Sequence, residues 1–264
     1  MNQPPHASAE ARRDETSDFV TALARGLAVI RAFGMQSRRM SLAEIARHVN
    51  LPRATVRRSL ITLETLGYVE SDSKTFMLTP QVLSLGYSYL TSLPVTRAVR
   101  PYLEKMTALF NEPAAAAILD HDDAVFLARV SARRVFLGTE TAGSRLPAYC
   151  TAMGRVLLAA QPDAMIDEYL ARIEPRAYTP HTITNPAKIR DAIYQARRDS
   201  YSIVQEEFDA GIVAISVPIK DLHDRTVAAL NVVSHVERAS REQMLDRFLP
   251  YMRNAVQELR CELP

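Results

Sequence analysis

The stretch Ser41-Leu42-Ala43-Glu44-Ile45-Ala46-Arg47-His48-Val49-Asn50-Leu51-Pro52-Arg53-Ala54-Thr55-Val56-Arg57-Arg58-Ser59-Leu60, continued to Lys74, decides the fold. Ser41 with Glu44 three residues on is a capping-box pattern. Leu42, Ile45, Ala46 and Val49 recur at the spacing of a helix with one buried face. Asn50 tolerates the left-handed conformation that stops such a helix, and Pro52 suits the first turn of the next. There Val56, Leu60 and Leu63 face inward, while Arg53, Thr55, Arg57 and Arg58 remain available to a DNA groove. Gly67 ends the second helix. Tyr68-Val69-Glu70 and Thr75-Phe76-Met77-Leu78 then flank the polar turn Ser71-Asp72-Ser73-Lys74, which predicts a hairpin. Helix, tight turn, basic helix and hairpin in this order read as a winged helix-turn-helix. A surface helix pair with solvated arginines, the plainer reading, does not account for the order.

Charge agrees locally. The 264-residue chain carries a formal net charge of only +2, yet Arg38, Arg39, Arg47, Arg53, Arg57 and Arg58 face Glu44 alone between positions 38 and 58. A basic patch confined to one module is the footprint of phosphate contact, so double-stranded operator DNA is the expected partner, with Lys74 in the hairpin contributing. The rest of the chain must do something else.

Length and a hydrophobic content of 47% fit a globular protein of two modest domains. Residues 1–16, with Pro4-Pro5 and a polar run, show no apolar period and read as a disordered arm. No apolar stretch is long enough for a signal-peptide core or a membrane span, which predicts a cytoplasmic protein. Cys150 and Cys261 are far apart and lack metal-ligand spacing, and the histidines show no pairing, so neither a disulfide framework nor a metal or other cofactor is expected. The winged domain is placed at 17–79. Its first helix carries Phe19, Leu23, Leu27, Ile30 and Phe33 as a stripe expected to pack on the helix pair. A linker helix is expected over 80–94, opened by Thr79-Pro80 and carrying Val82, Leu83, Tyr87 and Leu90. The second domain, 95–264, begins with a helix bearing Val99, Tyr102, Leu103, Met106, Leu109 and Phe110. Apolar residues on these connecting helices are expected to support a homodimer, since reading a two-fold operator takes a pair of modules.

Beyond Pro113 the pattern is α+β. Strands are expected at 114–119, 125–130 and 135–141 as a meander, helices at 152–160, 163–173 and 186–199, and strands at 203–206, 212–219 and 226–234. Ser240 and Gln243 form a second capping box, opening a helix that runs to about residue 260.

Three segments together resemble the IclR family of transcriptional regulators: Leu42–Ala46 with Leu51-Pro52-Arg53-Ala54-Thr55-Val56-Arg57-Arg58, then Arg145-Leu146-Pro147-Ala148-Tyr149-Cys150-Thr151-Ala152-Met153-Gly154-Arg155-Val156-Leu157-Leu158-Ala159, and 211–217. The likeness covers nearly the whole chain. Ala128-Arg129-Val130, Arg133-Arg134 and the 146–154 loop are most similar to the subgroup typified by PcaU, PcaR and PobR, which senses intermediates of aromatic-acid catabolism. The resemblance implies a winged helix domain joined by a linker helix to a GAF-like α+β effector domain, and dimers that pair into tetramers. It also implies control of transcription by an organic acid of the protocatechuate, 4-hydroxybenzoate or β-ketoadipate class, with RNA polymerase as a further contact. It completes the effector pocket with Leu146 and with Glu206, Ala214, Ser216, Asn231 and Val233 on the late strands.

The residues support an acid site directly. Thr151 reads as an N-cap, and the amides of Ala152, Met153 and Gly154 with the positive end of the helix dipole make a place for a carboxylate. Gly154 would let the ligand approach the backbone. Asn231 and Ser216 could bond a hydroxyl or keto group. Ala214 stands where other members carry a polar side chain, so a contact there is apolar. Arg134 is a candidate to pair a second carboxylate or close the pocket, and equally a solvated hairpin arginine.

Two rivals of other classes remain. Cys150 with His121 or His181 would make a thiol-dependent enzyme, although no spacing brings them together. Asp122-Asp123 and Glu206-Glu207 are adjacent carboxylates, which in a strand point to opposite faces and cannot share a proton. The second rival is an architectural DNA-binding protein whose larger domain only assembles.

Overall fold

The computed structural model describes residues 18–33, 39–72, 74–131 and 140–264. The arm at 1–16, Arg38 and Arg134 fall outside the described residues, as does most of the strand expected at 135–141. The chain separates into two compact units, the division falling between Tyr89 and Leu90, inside the helix read as the linker.

In the first unit, α1 (Thr21–Ala32), β1 (Met40–Ser41), α2 (Leu42–His48), α3 (Arg53–Thr65), β2 (Val69–Ser71) and β3 (Thr75–Leu78) follow one another. The capping box of α2 is present in full: the Ser41 amide donates to Glu44 Oε2 at 2.8 Å and the Glu44 amide to Ser41 Oγ at 3.3 Å. The Ser41 amide, with the Ser41 hydroxyl donating to the same Oε2 at 2.7 Å, holds the Glu44 carboxyl below its ordinary range. Asn50 takes φ 52° and Gly67 φ 80°, the left-handed stops that the two helices need. The wing pairs Val69 with Leu78 and Ser71 with Phe76, and β1, unread in the sequence, joins its outer edge through Met40 and Phe76. Val56, Leu60 and Leu63 are buried with Ile45, Ala46 and Val69.

Helix α1 packs on the helix pair as expected, but through only part of the expected stripe, Ile30 and Phe33. Val29, Ala32 and Phe33 are buried, whereas Leu23 is 64% and Leu27 47% exposed and Phe19 precedes the helix. Both sides of this helix carry apolar residues, so period alone could not choose the buried one. The small Ala32 beside Val29 permits close approach, and the Leu23/Leu27 stripe lies on the far side.

A 3-10 turn, Pro80–Val82, leads into α4 (Leu83–Ser92), which buries none of its residues. In the second unit, α5 (Pro94–Phe110) buries Val99, Tyr102, Leu103, Met106 and Phe110 but leaves Leu109 half exposed. Among the described residues, six antiparallel strands follow in the order β6-β5-β4-β9-β8-β7: β4 (Ala114–Asp120), β5 (Asp123–Val130), β6 (Arg145–Pro147), β7 (Ser202–Gln205), β8 (Ile212–Lys220) and β9 (Thr226–His235). Among the described residues, the outer partner of β5 is Arg145–Pro147, paired with Asp123–Val125, which alternation did not reveal. One sheet face packs on α5 and on a C-terminal helical run made of α9 (Arg241–Gln243), a π segment at Met244–Phe248 and α10 (Leu249–Arg260). The other packs on α6 (Ala152–Ala159) through Ala115, Ala117, Phe126 and Ala229. Behind α6 lie α7 (Asp163–Arg172) and α8 (Pro186–Asp199), with Ile166, Tyr169, Ile189 and Ile193 as a second core.

Candidate functional site

The basic element of the first unit is α3. Arg53, Arg57 and Arg58 are exposed and Thr55 half-buried, on the side away from Val56 and Leu60. In the wing, Asp72 Oδ1 accepts from the Thr75 amide and the Thr75 hydroxyl at 2.9 Å each, and from the Lys74 amide at 3.3 Å. These bonds, with Arg39 paired to Asp72 Oδ2, keep the Asp72 carboxyl below its usual range. Lys74 stays exposed at the tip of the wing.

The second unit forms a cavity of about 100 Å³, half open to solvent, between the sheet and the start of α6. Leu146, Ala152, Met153, Glu206, Ala214, Asn231 and Val233, all picked out in the sequence, line it. Phe126, Val204, Phe208 and Ile212 make the rest of the wall largely apolar, a composition suited to a small organic ligand fixed by a few polar groups. Asn231 is 6% exposed and its side-chain oxygen has no partner among the described residues. A buried amide oxygen in that state gains from a ligand hydroxyl.

Gly154 and Ser216, both expected in the pocket, stand off the wall, while Thr151 is on it. Thr151 caps α6 as read, but its Oγ accepts from the Gly154 amide at 3.3 Å, so that donor is already engaged. Gly154 is a glycine for another reason: a Cβ there would lie 2.3 Å from Ala148 Cα and O, so the helix start packs on the turn before it, not on a ligand. Ser216, two residues beyond Ala214 on β8, is fully buried, and its hydroxyl donates to Leu230 O at 2.8 Å.

The structure adds a cation that sequence reasoning missed. Arg129 lines the cavity with its side chain 8% exposed, paired to Glu140 Oε2 and donating to Glu140 O at 3.2 Å. Strand alternation read straight through places Phe126 and Arg129 on opposite faces. The register shifts instead: Ala117 pairs Phe126 and Ala116 pairs Ala128, leaving Leu127 as an extra residue, so both Phe126 and Arg129 turn to the cavity. A lone arginine inside the apolar run 125–130 was the available signal.

Glu206 and Glu207 also line the cavity together, contrary to the alternation expected of them. The strand ends at Gln205 and Glu206 turns to φ 56°, so the rule no longer applies. Glu206 Oε1 accepts from the Gly211 amide at 2.9 Å, and Glu207 is bound to the buried Arg155. Cys150 lines the same wall, but burial first, and then the Glu207 charge, push its thiol up to about 12. It is a neutral packing residue at physiological pH, without the thiolate a nucleophile needs. His121 is exposed, and the Asp122 and Asp123 carboxylates are paired with Arg172 and Arg145. Among the described residues no cluster could hold a metal, and no helix is long and apolar enough to cross a membrane.

Known proteins match both units. Residues 22–73 fit the IclR helix-turn-helix domain and residues 87–260 the C-terminal domain of bacterial IclR transcriptional regulators. The Pca regulon regulatory protein of Pseudomonas putida is 41% identical over 261 residues, 97% of this chain and 90% of that protein. The p-hydroxybenzoate hydroxylase transcriptional activator of Acinetobacter baylyi is 32% identical over 261 residues, 97% of this chain and 95% of its own. The crystal structure of an IclR homolog from Microbacterium hydrocarbonoxydans, complexed with 4-hydroxybenzoate, shares the fold with a TM-score of 0.80 at 24% identity, over 92% of this chain and 98% of that one. With both units matched and relatives aligned over nearly its whole length, the chain belongs to the IclR family of transcriptional regulators, and is a regulator rather than an enzyme.

Proposed function

We propose that this regulator senses a small aromatic hydroxy acid in the cavity of its second unit and controls genes of aromatic-acid degradation. The observation that carries the reading is the cavity wall: a buried guanidinium, Arg129, and a buried amide oxygen without a partner, Asn231, set in largely apolar surroundings. A ring acid with a hydroxyl meets each need once. Its carboxylate pairs with Arg129, beside the first turn of α6 at Ala152 and Met153 where the helix dipole also favours negative charge. Its hydroxyl donates to Asn231, and its ring lies among Phe126, Leu146, Ala214 and Val233. Relatives named for the Pca regulon and for p-hydroxybenzoate hydroxylase support the same class.

The acid acts through linkage. A ligand that prefers one arrangement of the protein shifts its population toward that arrangement, and operator affinity changes by the difference in its affinities, typically about 1–3 kcal/mol. Arg53, Thr55, Arg57 and Arg58 of α3 enter the operator's major groove, with Arg39 and Lys74 on phosphates. The exposed apolar residues Leu23 and Leu27 of α1 and Leu83 of α4 are where copies would associate as a dimer or tetramer. Calorimetric titration of the full chain with protocatechuate, 4-hydroxybenzoate and β-ketoadipate tests the reading. Saturable one-site binding of at least one is expected, and no binding of any overturns the effector class.

A further inference from the structure

The cavity carries more negative than positive charge, an odd lining for an acid. Its carboxylates are not equivalent. Glu207 is tied outward to Arg155, Glu206 accepts from the Gly211 amide, and Asp209 is exposed at the rim. Glu140 alone among them is paired to the lining cation, Arg129. The Arg129 side chain is 8% exposed and Glu140 26%.

A guanidinium so buried needs a counter-charge, because losing one member of a buried pair leaves an uncompensated ion. Without ligand, Glu140 supplies that charge. An entering carboxylate offers the same group to the same guanidinium, and two carboxylates on one cation repel each other. The one with a route to water leaves. Glu140, a quarter exposed, has that route, while the acid is held back by the packing of its ring on Phe126, Leu146 and Val233.

We infer that Glu140 is an internal stand-in for the effector's carboxylate, and that exchange of the two on Arg129 sets both the affinity of the cavity for acids and its discrimination against uncharged analogues. This rests on the cavity being the effector site proposed above. Binding of an acid is weakened by the work of displacing Glu140, whereas a neutral ester leaves the Arg129–Glu140 pair intact. Glu140 is thereby a specificity-determining residue rather than a structural tie.

The test is calorimetry of the full chain with 4-hydroxybenzoate and its methyl ester, on the unaltered protein, Glu140→Gln and Asp209→Asn. Glu140→Gln is expected to bind the acid at least tenfold more tightly and the ester within twofold of the unaltered protein. Asp209→Asn removes the same charge from the same wall without touching Arg129, and is expected to change acid affinity less than twofold. Glu140→Ala, possible because the side chain reaches solvent, should follow the Gln variant and replaces it if that chain melts abnormally. Unchanged or weaker acid binding by the Glu140 variants, or equal tightening by Asp209→Asn, overturns the inference while leaving the effector site standing. No binding of the acid or the ester to any of the chains removes the site and the inference together.

Discussion

Arg155 Nη2 lies 2.6 Å from Glu207 Oε2, and both side chains are buried, at 5% and 9% exposure. Arg155 Nε also donates to Tyr149 O at 2.9 Å, and the Ile183 amide donates to the same Glu207 oxygen at 3.2 Å. One ion pair therefore joins α6, the turn before it and the chain behind the cavity. Since Glu207 lines that cavity, the pair shapes its wall as well as its core.

Removing one partner should be costly. Arg155→Met strands a buried carboxylate and should lower stability by about 3–5 kcal/mol in urea unfolding, a large share of a domain's total. Arg155→Met with Glu207→Leu removes both charges and should recover most of the loss. A single variant within about 1 kcal/mol of the unaltered protein would contradict this account of the pair.

Gly154 makes a separate prediction. Gly154→Ala places a methyl against the Ala148 backbone, which cannot swing aside as a side chain would. The expected cost is about 1–3 kcal/mol of overpacking, read as a lowered melting temperature. Melting unchanged from the unaltered protein would mean that the helix start is looser than described.

These two cases show where sequence reading stops. The capping box at Ser41 and Glu44, the left-handed Asn50 and the inward Val56, Leu60 and Leu63 are local chemistry, and local chemistry is legible in order along the chain. Gly154 was read as leaving room for a ligand, whereas the Ala148 backbone fills that space, a tertiary fact the sequence does not show. Arg129 was hidden by a single extra residue at Leu127, which reverses a period-two reading. Leu23 and Leu27 share an apolar period with residues that are buried, and only packing distinguishes the two sides of α1. Glu140 lies eleven residues from Arg129 in sequence, and their pairing is a tertiary fact that no local pattern announces.

Cys150 and Cys261 should differ in reactivity. Burial and the Glu207 charge hold the Cys150 thiol near pKa 12, so it is protonated at pH 7 and still almost wholly so at pH 9, whereas Cys261 is exposed. Iodoacetamide at pH 8 followed by peptide mass spectrometry should label Cys261 alone in the native chain, and both after denaturation. Rapid native labelling of Cys150 would reopen the nucleophile reading.

Helix α3 can be tested base by base. Arg57→Ala or Arg58→Ala should lose roughly 1–3 kcal/mol of specific operator binding and relax one position if the arginine reads a base, or weaken all sequences alike if it holds a phosphate. Acid binding should survive in both. Gel-shift titrations on mutated operators separate the outcomes, and unaltered affinity for every DNA in both variants would remove α3 from the interface.

The central claim is that an acid held at Arg129 controls DNA binding, and the most direct measurement is operator affinity by fluorescence anisotropy with and without saturating 4-hydroxybenzoate. In the unaltered protein the acid should change affinity by about 5–150-fold, the usual span of coupling between two sites. In Arg129→Gln, folded as judged by its melting, the acid should leave operator affinity unchanged. An equal response to the acid in both proteins, or none in the unaltered one, would contradict the account.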